Sequence, residues 1–125
     1  MKFDFSNSSL KDLITDRPLV ESVVKINPQT LQEETETIPI TVLAVATVCM
    51  LRATPDDGKL GMTEKIRRYK LGLRLIACAN SEDKILELDS DEVSLIKVTA
   101  GVMFGSMIIG QVVDFFESAS NTIAV

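Results

Sequence analysis

The stretch ELDSDEVSLIK, residues 87–97, sets four carboxylates (Glu87, Asp89, Asp91 and Glu92) within six positions, beside an apolar run. Carboxylates at that density suit a hard cation or an acid–base pair. A calcium loop of the EF-hand type, started at Asp89, finds its third-position ligand in Asp91. It then needs an oxygen ligand at position five, glycine at six and glutamate at twelve, where the chain has Val93, Ser94 and Ala100. A catalytic pair needs apolar burial to split two carboxyl pKa values, and this stretch offers none. A helix start fits. Asp89 is the N-cap, Glu92 three residues on closes a capping box of the aspartate type, and Asp91 lies in the first turn, where the helix dipole favours a negative charge by about 0.3–1 kcal/mol.

The rest of the chemical inventory is thin. The chain has no histidine, which removes the commonest general base and metal ligand together. Cys49 and Cys78 are isolated, without CxxC spacing, in the apolar contexts TVCML and IACAN. They read as buried free thiols of a cytosolic protein, not as a zinc set or a disulfide framework. GxGxxG, GxxxxGK[ST] and GxSxG are all absent. No catalytic residue, metal or cofactor is expected, and the protein is expected not to be an enzyme.

Two surfaces remain as candidates. EKIRRYKLGLR gathers Lys65, Arg67, Arg68, Lys70 and Arg74, five of the chain's thirteen cationic groups, on one expected helix. On a helical wheel Arg67, Lys70 and Arg74 share a face opposite much of the apolar stripe, with Arg68 nearer the boundary. The plain reading is a solvated face paired with nearby Glu and Asp; the functional one is a docking face for an acidic partner. The second surface is GVMFG, a GxxxG with Gly101 and Gly105, flanked by Met103, Phe104 and Met107. It reads as a kink or tight helix crossing in the core, and as an oligomer contact in the functional alternative.

The elements that must position these residues follow from periodicity. KFDFS alternates, with Phe3 and Phe5 on one face of a strand, and LVESVVKI (19–26) is a β-branched candidate to pair with it. Asp16 to Pro18 is a turn, and NPQTLQEETET is a polar, acidic connection or second hairpin. TVLAVATVCMLRA (41–53) is apolar almost all round, which suits a central helix capped by Thr41, with a buried strand as the competing reading. A helix capped by Thr63 follows, its core-facing stripe drawn by Ile66, Tyr69, Leu73 and Ile76 and widened by Leu71 and Leu75. NSEDK ends it, and ILEL (85–88) is a short extended piece. Residues 89–118 read as two helices, or one broken near Gly101–Gly105, with Ile108, Val112, Phe115 and Phe116 as a core stripe.

At 125 residues the chain fits a single domain, with residues 1–38 extended, 39–118 a helical core and 119–125 a frayed tail. The expected class is α+β, mainly helical, with a small N-terminal hairpin or sheet beside three to four helices. A net charge of −5 argues against nucleic acid as the default partner. The longest uncharged runs, Val98–Val113 and Ile38–Leu51, fall short of the about 20 apolar residues that span a bilayer. Met1–Asp12 holds no apolar leader segment.

Taken together, MKFDFSN…LKDL, TEKIRRYKLGLRLI and LDSDEVSLIK…GQVVDFFE resemble a group of small bacteriophage-encoded proteins that join a short N-terminal strand region to helices. The connection from Asn27 to Ile38 is longer and more acidic than that pattern. The resemblance transfers no activity or site residue. It implies a phage or prophage product in the bacterial cytoplasm, at a virion or assembly interface. The function expected is therefore a non-enzymatic protein-interaction module that self-associates, since 46% apolar residues in a small acidic chain leave surface to be covered. Its partners would be further copies of itself and another phage or host protein. The alternative is a nucleic-acid-binding or host-inhibiting regulator working through helix 63–79. An acidic mimic of nucleic acid built on Glu33–Glu36 and Glu87–Glu92 ranks last.

Overall fold

The computed structural model describes residues 1–55, 57–118 and 122–123. It is an α+β chain, mainly helical. The central element is α1 (Val42–Leu51), which buries Val42, Leu43, Val45, Ala46, Cys49 and Met50 around most of its circumference. Thr41 caps it as expected, its hydroxyl accepting from the Ala44 amide at 3.0 Å. Helix, not strand, wins because α2 (Met62–Ala79), α3 (Ser90–Met103) and α4 (Ser106–Glu117) all pack against α1 and bury most of its circumference, leaving Ala44 and Leu51 exposed.

The strand pairings differ from the sequence reading. β1 (Lys2–Asp4) does not pair with residues 19–26. It lies between β6 (Ile85–Glu87) and β7 (Thr122–Ile123), antiparallel to both, with Phe3 opposite Leu86 and Thr122. Long-range closure wins because it puts Phe3 and Phe5 over α4, where they meet Phe115 and Phe116. Phe5 stacks on Phe115 at 5.0 Å and Phe3 meets Phe116 edge-on at 5.2 Å. Of the tail expected to fray, Thr122 and Ile123 are paired with β1; residues 119–121 and 124–125 lie outside the described residues.

β2 (Lys11–Asp12) and β3 (Arg17–Pro18) form a small hairpin around Asp16, whose φ of 57° makes the turn. The Gln111 side-chain amide clamps this hairpin to α4, accepting from the Lys11 amide at 2.9 Å and donating to the Lys11 carbonyl at 2.8 Å. β4 (Val20–Ile26) and β5 (Glu33–Pro39) form a separate seven-residue ribbon in full register, from Val20–Pro39 to Ile26–Glu33. Every β5 residue is exposed, as is every β4 residue but Val23. Residues 19–26 thus pair within the region expected as a connection or second hairpin, and beyond the ribbon's base, where Val20 and Glu21 line a cleft with Ala44, Val45 and Val48 of α1, its faces are exposed.

The helix boundaries are set locally. Asp89 and Glu92 make the reciprocal capping box read from the sequence: the Asp89 carboxylate accepts from the Glu92 amide at 2.7 Å, and the Asp89 amide donates to Glu92 Oε1 at 3.0 Å. The N-cap of α2 lies two residues earlier than expected, at Gly61, so Thr63 is inside the first turn and is not the cap. At its other end the Lys84 ammonium donates to the carbonyls of Ala79 and Ser81. The α3–α4 break falls at Phe104–Gly105, but it is not a tight crossing. A Cβ on Gly105 would meet nothing within 4 Å, and one on Gly101 only Ile109 Cγ1 at 4.0 Å. The close approach is at Gly72, where a Cβ would sit 2.5 Å from Leu51 Cγ. That glycine is what lets α2 lie against α1.

Candidate interaction surfaces

Two apolar stripes run along α2. Leu71, Leu75 and Cys78 face α1, together with Gly72 and Arg68, and all five are buried. The longer stripe, Ile66, Tyr69, Leu73 and Ile76, is the one the spacing predicts as core-facing, and it points to solvent. Met62, also exposed, extends it by one turn. The steps 62, 66, 69, 73, 76 alternate four and three residues, the a/d spacing of a helix seam. Gly72 lies beside the shorter, buried stripe, where the Leu51 side chain of α1 packs close against its backbone.

The five basic candidates do not form one patch. Arg68 is buried at 8% exposure, its guanidinium 3.5 Å from Thr54 Oγ1 and 3.8 Å from Glu64. It belongs to the packing between α2 and the loop after α1, and no partner can reach it as an exposed face. Arg74 turns toward α3, donating to Glu92 Oε2 and to the Glu87 carbonyl, each at 2.5 Å. Glu92 thus serves both the capping box and the α2–α3 contact. Arg67 lies 3.7 Å from Glu64. Lys65 and Lys70 are exposed on either side of the outward stripe. Ile66, Arg67, Lys70, Leu71, Arg74 and Glu92 line a shallow groove between α2 and α3. Lys65 and Lys70 therefore border the apolar stripe, while Arg67 and Arg74 lie farther round the helix at the α3 groove.

The second candidate set is divided. Gly101 and Gly105 are exposed, while Met103, Phe104 and Met107 are half-buried, with Met103 and Phe104 packed on the core. Met107 Sδ accepts from the Leu13 amide at 3.1 Å. These residues hold the α3–α4 corner.

The ribbon is the surface that the sequence reading missed. Alternation puts Val20, Val24 and Ile26 on one face, with Pro39, Thr35 and Glu33 opposite them in turn. Glu21, Glu34 and Glu36 stand on the other face, where Glu36 pairs with Lys25. At the tip Leu31 is 80% exposed with φ 56°. That left-handed backbone costs a non-glycine residue roughly 1–2 kcal/mol. The available signal was the pair of β-branched and threonine-rich runs on either side of Asn27–Gln32.

Among the described residues nothing assembles a set of reactive groups. Burial pushes the Cys49 thiol up to about 11, against the opposing pull of the Arg68 guanidinium, and burial also raises the Cys78 thiol. Both cysteines are free and buried, and protonated thiols are poor nucleophiles. Among the described residues no group of three or more His, Cys, Asp or Glu side chains is placed to hold a metal ion, and no helix is long and apolar enough to cross a membrane. No protein-family model matches the chain, and neither a curated protein nor a solved structure matches it.

Proposed function

We propose that this protein is a non-enzymatic protein-interaction module that self-associates, working as a phage or prophage accessory or assembly protein in the bacterial cytoplasm. The observation that carries the reading is the β4–β5 ribbon. A two-stranded hairpin with both faces in water is marginally stable by itself. This one exposes Val20, Val24, Ile26 and Leu31. The outward stripe of α2 adds a second apolar surface. Surface of that kind in two places is what an assembly covers.

Hydrogen exchange across a dilution series tests the reading. The β4–β5 amides should be protected in concentrated solution and lose that protection on dilution, while amides of α1 stay protected throughout. Ribbon exchange independent of concentration would count against cover by another copy. The phage assignment rests on the sequence resemblance, and the genes on either side of the coding sequence test it.

The nucleic-acid alternative is supported only by the groove beside Arg67 and Lys70. Arg68 and Arg74, two of its five cations, are engaged within the fold. Salt-sensitive binding of DNA or RNA that disappears in R67E/K70E would favour it over the module reading.

A further inference from the structure

We infer that the β4–β5 ribbon of one copy docks on the outward face of α2 of another, its apolar side against Ile66, Tyr69 and Leu73. The inference rests on the self-association reading and names the two surfaces that meet. Three pairings of the exposed apolar surfaces are conceivable: ribbon on ribbon, helix on helix, and ribbon on helix. Charge separates them. The apolar face of the ribbon carries one charged group, Glu33, while Glu21, Glu34 and Glu36 stand behind it on the far face with Lys25. The outward face of α2 is flanked by Lys65 and Lys70, both exposed, while Arg68 and Arg74 are engaged within the fold.

Ribbon on ribbon would therefore set acid against acid, and helix on helix would set Lys65 and Lys70 against their own copies. Like charges brought together at an interface cost several kcal/mol. Only ribbon on helix joins opposite signs.

Position and length agree with this pairing. Glu33 shares the ribbon face of Val24 and Ile26, so it would arrive beside the stripe with them. Lys65 and Lys70 border that stripe on its two sides. The glutamates of the far face lie one ribbon thickness away, comparable to the screening length of about 8 Å in physiological salt. A seven-residue strand runs roughly 24 Å at the strand rise. Met62 to Ile76 runs roughly 21 Å at the helix rise. Each copy offers one ribbon and one helix, so the contact closes reciprocally in a two-fold dimer or runs onward into a ring or filament. The mass distinguishes these forms.

A charge exchange tests the pairing. Variant one is E33K/T35K on the docking face of the ribbon; variant two is K65E/K70E on the helix. All four side chains are exposed, and circular dichroism verifies that each variant is folded. Each variant alone should dissociate at a concentration ~10-fold or more above wild type. An equimolar mixture should recover the wild-type mass, because each variant's ribbon then finds an opposite charge on the other's helix. Wild-type association that neither variant weakens, or a mixture that stays dissociated, would overturn the ribbon–helix pairing and leave self-association standing. A wild-type chain that never associates would remove both.

Discussion

Arg68 and Tyr69 are neighbours on α2 with inverted burial: the arginine is 8% exposed and the tyrosine 56%. The guanidinium reaches Thr54 and Glu64 inside the fold, and the ring lies outside with Ile66 and Leu73. This outward stripe is the surface that the proposed self-association would cover. Substitution should show the division. Y69D and L73D are expected to change unfolding free energy by about 0.5 kcal/mol or less, as exposed positions do, while lowering the assembled mass. Leu75→Ala, on the buried stripe, should cost about 2–5 kcal/mol in denaturant unfolding. Equal destabilisation at positions 73 and 75 would show that the outward stripe is packed within the fold.

The capping box makes a graded prediction. Asp89→Ala should cost about 1 kcal/mol, the usual loss for an N-cap. Glu92→Ala should cost more, because Glu92 also receives Arg74. That pair is half-exposed on the arginine side, so a double-mutant cycle of R74A and E92A should return a coupling of less than about 1 kcal/mol. A zero difference between the two single alanine variants would contradict the double role.

The glycines should respond with opposite signs. Gly110 lies inside α4, where a Cβ would meet nothing within 4 Å, so Gly110→Ala should stabilise by about 1 kcal/mol through helix propensity. Gly72→Ala has the same propensity gain but drives into Leu51. Overpacking of that kind costs about 1–3 kcal/mol, and thermal unfolding should show net loss.

How much was legible in the sequence depends on whether a signal was local. Thr41, Asp89 and Glu92 act within four residues of themselves, and their caps are readable from residue type and spacing. The Phe3–Phe5 alternation announces a strand, but its partners lie more than eighty residues away, and alternation carries no address. On α2 two apolar stripes compete, and periodicity favours the longer. Gly72 lies beside the buried stripe, but its contact with Leu51 exists only once α1 and α2 have met. The basic cluster failed as a patch for a related reason: Arg68 and Arg74 found partners on Thr54 and Glu92 that no count of charges reveals.

Cys49 gives the fold a signature at high pH. Its folded thiol titrates near 11, against an ordinary value of 9.0. The folded state therefore holds a proton that the unfolded chain has already lost. That contribution is fully present below about pH 9 and is lost as pH rises toward 11. It amounts to about 2–3 kcal/mol, because each pH step of one between the two values is worth about 1.4 kcal/mol. Denaturant midpoints measured across this window should fall less steeply in Cys49→Ala than in the wild type. Parallel slopes would contradict a protonated buried thiol.

The most direct test of self-association is the mass of the wild-type chain in solution. Multi-angle light scattering across a micromolar concentration series should give values above the 13.7 kDa of one chain, rising with concentration. A constant 13.7 kDa at every concentration would contradict self-association, and with it the role assigned to the ribbon and to the outward face of α2.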